Sequence, residues 1–213
     1  MTLPFSLEQF LGVFGAYNRA LWPAAALLWL ASAAAVVLIL RGAPKSSRAI
    51  ALLLAVHWAW SGVAYHLMFF RDINPAASVF GVLFVLQATL FGWWAPRAPA
   101  AAFQLQRDIW SRLGVGLLLY ALAYPGLGLL LGLTYPRMPT FGVPCPTTLF
   151  TVGALLIARA SAPRALGLIP LAWTVIGGSA AFLLGMYADL VLPASGVVLL
   201  LGMAQRRRAP RAG

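Results

Sequence analysis

Charge is scarce in this chain. Only 9% of its 213 residues are charged, against roughly 25% in a soluble domain. So few charges cannot cover a water-facing surface of this size. Acidic residues number four, Glu8, Asp72, Asp108 and Asp189, and there are two histidines, His57 and His66. The one cysteine, Cys145, excludes an internal disulfide and any multi-cysteine metal site. No acid, lysine or arginine falls in the middle of an apolar run. A voltage sensor or a charged proton relay through a membrane would need such residues. Residues 1 to 18 contain Glu8 but no lysine or arginine. The positive start of a secretory signal peptide is therefore missing.

What the chain does have is apolar length. It is 62% hydrophobic, with a mean hydropathy of +0.88. A membrane-crossing helix needs about 20 mostly apolar residues. The runs predict an all-α, polytopic transmembrane bundle of seven helices: Leu21–Leu40, Ala49–Phe70, Ala76–Ala95, Leu113–Leu133, Val143–Ala158, Ala165–Gly185 and Ala188–Ala204. The fifth and seventh are short. Residues 1–20 read as an interfacial amphipathic segment, 21–205 as the seven-helix domain, and 206–213 as a basic cytoplasmic tail. In the first segment Ser6 with Gln9 forms a capping-box pattern. Phe10, Phe14 and Tyr17 fall on one helical face.

Basic residues decide the orientation. With seven crossings, twelve of the fifteen fall on one side; Arg19, Arg71 and Arg137 fall on the other. The positive-inside rule then puts the N-terminus outside and the C-terminus in the cytoplasm. If the fifth segment failed to cross, that bias would vanish. The net charge of +11 follows this topology rather than any polyanion site. Arginine is abundant alongside alanine, glycine and proline, the mark of GC-rich codons. The partner is thus a lipid bilayer and not nucleic acid, and a homo-oligomer is compatible with the sequence. No internal repeat is visible.

Three polar clusters carry the chemistry. The first is LLLAVHWAWSGVAYHLMFFRD, residues 52 to 72. His57, Ser61, Tyr65, Met68 and Asp72 share one helical face, with His66 about 180° from His57. An unkinked helix cannot offer both histidines to one metal. His57 reads as a neutral residue bonded to a neighbouring helix. His57 and Ser61 are expected to face the bundle interior, toward breaks at Tyr124-Pro125-Gly126 in the fourth span or Gly177-Gly178 in the sixth. The second cluster is TYPRMPTFGVPCPTT, residues 134 to 148, stiffened by four prolines. It places Cys145 at a helix start, where a thiol is activated; a small buried residue is the plainer meaning. The third runs from Glu8 to Arg19. Asp189 is expected to cap the seventh helix.

The stretches HWAWSGVAYH, RDINPAA, MPTFGVPCPTT and IGGSAAFLLG make the chain resemble a bacterial membrane family known only as a domain of unknown function, some of whose members are labelled permeases. The resemblance covers most of the chain and implies a multi-pass protein of the bacterial cytoplasmic (inner) membrane. It supplies no reaction, ligand or cofactor. Seven spans with an outer N-terminus also resemble rhodopsins and alkaline-ceramidase-like hydrolases. The chain lacks the lysine of the former and the three-histidine zinc site of the latter.

The expected function is a small permease or binding protein for a small polar solute or metal ion. Its pocket would open to the outer side and draw on Glu8, Asn18, Arg19, His66, Asp72, Arg137, Cys145, Thr148 and Asp189, with His57 and Ser61 deeper. The alternatives are a membrane-embedded enzyme using His66, Asp72 and Cys145, and a non-catalytic assembly subunit.

Overall fold

The computed structural model describes residues 3–205, and the expected basic tail lies outside them. Seven α-helices occur among the described residues. They are α1 (Leu7–Leu40), α2 (Ser47–Trp60), α3 (Ala77–Trp94), α4 (Ile109–Leu130), α5 (Pro144–Ile157), α6 (Leu168–Leu184) and α7 (Val191–Gln205). Short 3-10 turns flank most of them. No strand occurs among these residues.

Local chemistry explains the ends. Ser6 caps α1: its hydroxyl accepts from the Gln9 N–H, and the Gln9 side chain accepts from the Ser6 N–H at 2.8 Å. The helix then runs for 34 residues with one non-helical residue, Leu21, two before Pro23. Proline removes a backbone donor and crowds the preceding turn. The amphipathic segment and the first span are therefore one helix, joined at a kink. Asp108 caps α4 through a 2.8 Å bond from the Ser111 N–H. Gly185, at φ 68°, ends α6 in the left-handed region that suits glycine.

α5 is the axis of the bundle. It is too short to count among the six helices long and apolar enough to cross a membrane. Yet every residue from Pro146 to Ala158 is buried. A helix that is apolar all round belongs inside other helices. α2, α4, α6 and α7 all pack on it. The α4–α5 seam closes on glycine: a Cβ on Gly114 would lie 2.7 Å from the Gly153 carbonyl oxygen. Small residues at such crossings let backbones approach.

The outward faces are apolar, as at Leu27, Val82 and Phe182. Such a shell suits hydrocarbon and not water. Inside, the core falls into two clusters. The larger holds Leu54, Trp58, Phe84, Leu118, Phe150 and Trp173; the smaller holds Phe5, Phe14, Tyr17, Tyr65, Phe70 and Met186.

The expected helix breaks are packing features. α4 continues through Pro125, and Trp29 of α1 donates its indole N–H to the Leu122 carbonyl at 2.8 Å. α6 continues through Gly177 and Gly178, where added Cβ atoms would run into Leu192 and Pro193 of α7.

Candidate functional site

The second span changes its winding beside the first histidine cluster. After Trp60 the chain enters a π-helix, Ser61–Leu67. Its hydrogen bonds reach five residues back; Met68 N–H donates to the Val63 carbonyl at 3.2 Å. Such turns are rare and frequent at functional sites. Here the wide turn sits where Gly62 touches α3: a Cβ on Gly62 would lie 2.9 Å from the Gly81 carbonyl oxygen.

The π turn delivers His66 into a box of rings. Phe84 lies 4.7 Å away between centroids, Trp173 5.1 Å and Tyr65 5.4 Å, all edge-on. Phe70 and Phe80 complete it, each at 5.8 Å. The histidine is fully buried, and neither ring nitrogen has a hydrogen-bond partner. A buried polar group left unpaired in this way costs roughly 1–3 kcal/mol.

His66 borders a cavity of about 380 Å³. The walls are mostly aromatic and aliphatic: Phe10, Phe14, Phe70, Phe80 and Trp173. Five other polar side chains line it, Tyr65, Asn74, Cys145, Ser179 and Asp189. Cys145 is the second residue of α5, as the proline spacing predicts. Asp189 differs from expectation. It lies in a 3-10 turn, makes no cap bond, and its buried carboxylate accepts from the Tyr124 hydroxyl of α4. Tertiary contact has taken a residue that local pattern assigned to a helix start. The rim includes Ile176 and Leu183 of α6, which are also exposed on the outer face of the bundle. The opening therefore looks sideways, onto the apolar shell.

The remaining predicted site residues lie elsewhere. Glu8 and Arg137 form a surface ion pair at 2.5 Å. Arg19 and Asp72 are exposed. Asn18 is buried and pins the proline-rich segment, its amide donating to the Pro136 and Met138 carbonyls at 2.6 and 2.8 Å. Tyr17 does the same through the Phe141 carbonyl, and Trp60 donates to Tyr17 at 2.7 Å. Gly142, at φ 83°, fits beneath them where any Cβ would strike both rings. Ser61 and Thr148 are buried with unpartnered hydroxyls, and neither lines the cavity.

His57 faces the interior, but toward α1 and α5 rather than toward α4 or α6. Its Nε2 lies 2.8 Å from the Ser32 hydroxyl, whose own proton goes to the Leu28 carbonyl. That assignment makes Nε2 the protonated nitrogen. The ring stacks on Phe150. The two histidines thus occupy separate sites, as their spacing predicts. Among the described residues no group of three or more His, Cys, Asp or Glu could hold a metal ion.

Sequence reasoning passed over Trp173, Phe84, Phe80 and Tyr124. Phe80 and Trp173 line the cavity, Phe84 packs on His66 and Tyr124 bonds Asp189; none carries a pattern that separates it from ordinary core.

Long apolar helices, an apolar shell and a buried, laterally open cavity define a membrane-type helical bundle. The model of the Family of unknown function (DUF6064) matches residues 7–213, and the chain belongs to that family. No curated protein and no solved structure matches it.

Proposed function

We propose that the protein binds a small, largely apolar molecule bearing one polar group, taken up from the bilayer into the cavity at His66. The observation that carries this is the pair of unpartnered nitrogens on a buried histidine at the cavity wall. Ligand sites are mostly apolar with a few placed polar groups. Aromatic walls suit a ring or hydrocarbon body better than the hydrated solute or ion that the sequence suggests. The sideways opening suits a ligand that partitions into lipid.

Binding is favoured over transport because the polar groups deeper in the bundle do not extend the cavity. His57 is held by Ser32, and Trp58 donates to Thr151 at 2.8 Å. They line no continuation of the cavity. One observation favours a membrane enzyme as the second reading: His66 and Cys145 share the cavity with a carboxyl group, Asp189 standing where Asp72 was expected.

For the setting we propose a bacterial cytoplasmic membrane with the N-terminus outside, on the charge asymmetry. A cytoplasm-dependent reporter should work when fused after Arg208 and fail between Pro136 and Pro139. Activity at the latter position overturns the orientation.

The test of binding is extraction. Protein purified in mild detergent should release a molecule of this class into organic solvent, seen by mass spectrometry. His66→Phe and the cavity-filling Ala180→Leu should release far less per mole of folded protein. Equal release from all three, or none from the natural chain, sinks the proposal. Loss of N-phenylmaleimide labelling at Cys145 when ligand is added back would place the ligand beside the thiol. A turnover product in the same extracts would move the reading to the enzyme.

A further inference from the structure

A second recess lies further along α1. It is a groove of about 970 Å³ between α1 and α4. Its floor is cut by small residues, Ala25, Ala26, Ala123 and Gly126, and its sides include Trp22 and Leu130. Trp22 and Leu130 are strongly exposed, so the groove faces the apolar surroundings along its length. One end is polar: Asn18 and Tyr135 line it there.

The chain neighbours of those two residues bring charge. Arg19 follows Asn18, and Arg137 stands two residues after Tyr135. The two arginine side chains meet over Gly15; a Cβ built there would be 3.2 Å from Arg137 Cγ and 3.4 Å from an Arg19 guanidinium nitrogen. Glu8 neutralises Arg137. Arg19 has no ion pair or hydrogen bond among the described residues, and it is exposed. A free guanidinium thus stands at the mouth of an apolar groove that begins one helical turn further along α1. Tryptophan and tyrosine at that mouth are the residues that settle at headgroup depth.

We propose that this groove holds an acyl chain of an anionic phospholipid, with the lipid phosphate over Arg19. Guanidinium binds phosphate through paired N–H donors, and basic recesses between membrane helices recognise anionic headgroups. The small floor gives a chain depth that a flat helix face lacks. This site is independent of the cavity at His66.

The experiment is native mass spectrometry of the full-length protein, with dioleoyl phosphatidylglycerol, dioleoyl phosphatidylcholine and glycerol 3-phosphate added in turn. One phosphatidylglycerol adduct should persist where phosphatidylcholine is stripped, and glycerol 3-phosphate should not bind. Arg19→Gln should weaken that adduct about five-fold, the effect of one basic group near a lipid surface. Ala123→Phe should abolish it by filling the groove, and Arg71→Gln should leave it unchanged. Arg19 is exposed, so its substitution tests the site without threatening the fold. Equal retention of both lipids, an adduct indifferent to Arg19→Gln, or a protein dimer in place of the adduct overturns the proposal. Binding of glycerol 3-phosphate alone also does so, because it removes the groove from the recognition.

Discussion

His57 and His66 stand nine residues apart on one span, both fully buried, and their surroundings treat them differently. His57 belongs to the larger, filled part of the core. Serine satisfies one nitrogen and phenylalanine covers the ring face. His66 sits where the larger and smaller clusters meet, with five rings around it and no partner for either nitrogen. Burial alone does not distinguish them. A polar group bonded to a neighbouring helix fixes the two against each other, even where, as at Nδ1 of His57, its other nitrogen has no partner. An unsatisfied one beside empty space is a place for something that arrives later.

The contrast can be broken hardest at the glycine seam of the filled part. Gly114→Ala should destabilise the bundle by about 1–3 kcal/mol, because the Gly153 backbone as well as the Ile157 side chain would have to move. Gly116 has nothing within 4 Å of its would-be Cβ, and Gly116→Ala should be silent. Thermal denaturation of both in one detergent checks the pair; equal midpoints would mean the seam is slack.

The histidines themselves come next. His57→Phe should cost about 0.5–1.5 kcal/mol for its lost bond to Ser32. His66→Phe should leave the melting temperature unchanged or higher, since it removes two unpaired nitrogens, while ligand retention falls. A His66→Phe protein that melts well below the natural chain would show that His66 has a structural partner, and the contrast would be lost. Trp58→Phe should cost a similar 0.5–1.5 kcal/mol through the bond to Thr151, with no effect on ligand.

The smallest effect lies at the helix ends. Burial would raise the Asp108 pKa, but the Ser111 hydrogen bonds and the Arg159 guanidinium, 2.5 Å away, hold it below the usual carboxylate value. Its contribution is therefore present above the unfolded-state pKa. It fades as pH falls through the lower folded value. Asp108→Asn should flatten the acid limb of the stability profile without changing ligand retention. An unaltered acid limb would remove Asp108 from the account.

Hydropathy made the helices legible, because six of them are apolar over a length that can cross a membrane. Even short α5 shows as an apolar run, though its central position does not: nothing local separates a buried helix from a lipid-facing one. The capping box at Ser6 and the start of α5 were readable because they depend on near neighbours. The site was half legible. His66 and Cys145 stand out by residue type, and the structure puts both at one cavity. Asp189 stood out for the wrong reason, since its partner Tyr124 lies 65 residues away. The surface charges Glu8, Arg19, Asp72 and Arg137 drew attention because they are rare, not because they converge. The rings that build the wall were hidden among many others.

The π-helix could not be read at all, since no residue type demands it, and it makes the site dependent on a count of residues. A regular helix advances about 100° per residue; the wide turn at Ser61–Leu67 holds a surplus in the ladder. Losing one codon within those seven would let the ladder close to ordinary α spacing. Residues beyond the deletion would keep nearly their present facing relative to Trp58, because the lost residue is the one the wide turn absorbs. Wound as an ordinary α-helix with no residue lost, the same stretch would carry His66 about 100° round from its place among the rings, so the surplus residue decides which side chain the ring box receives.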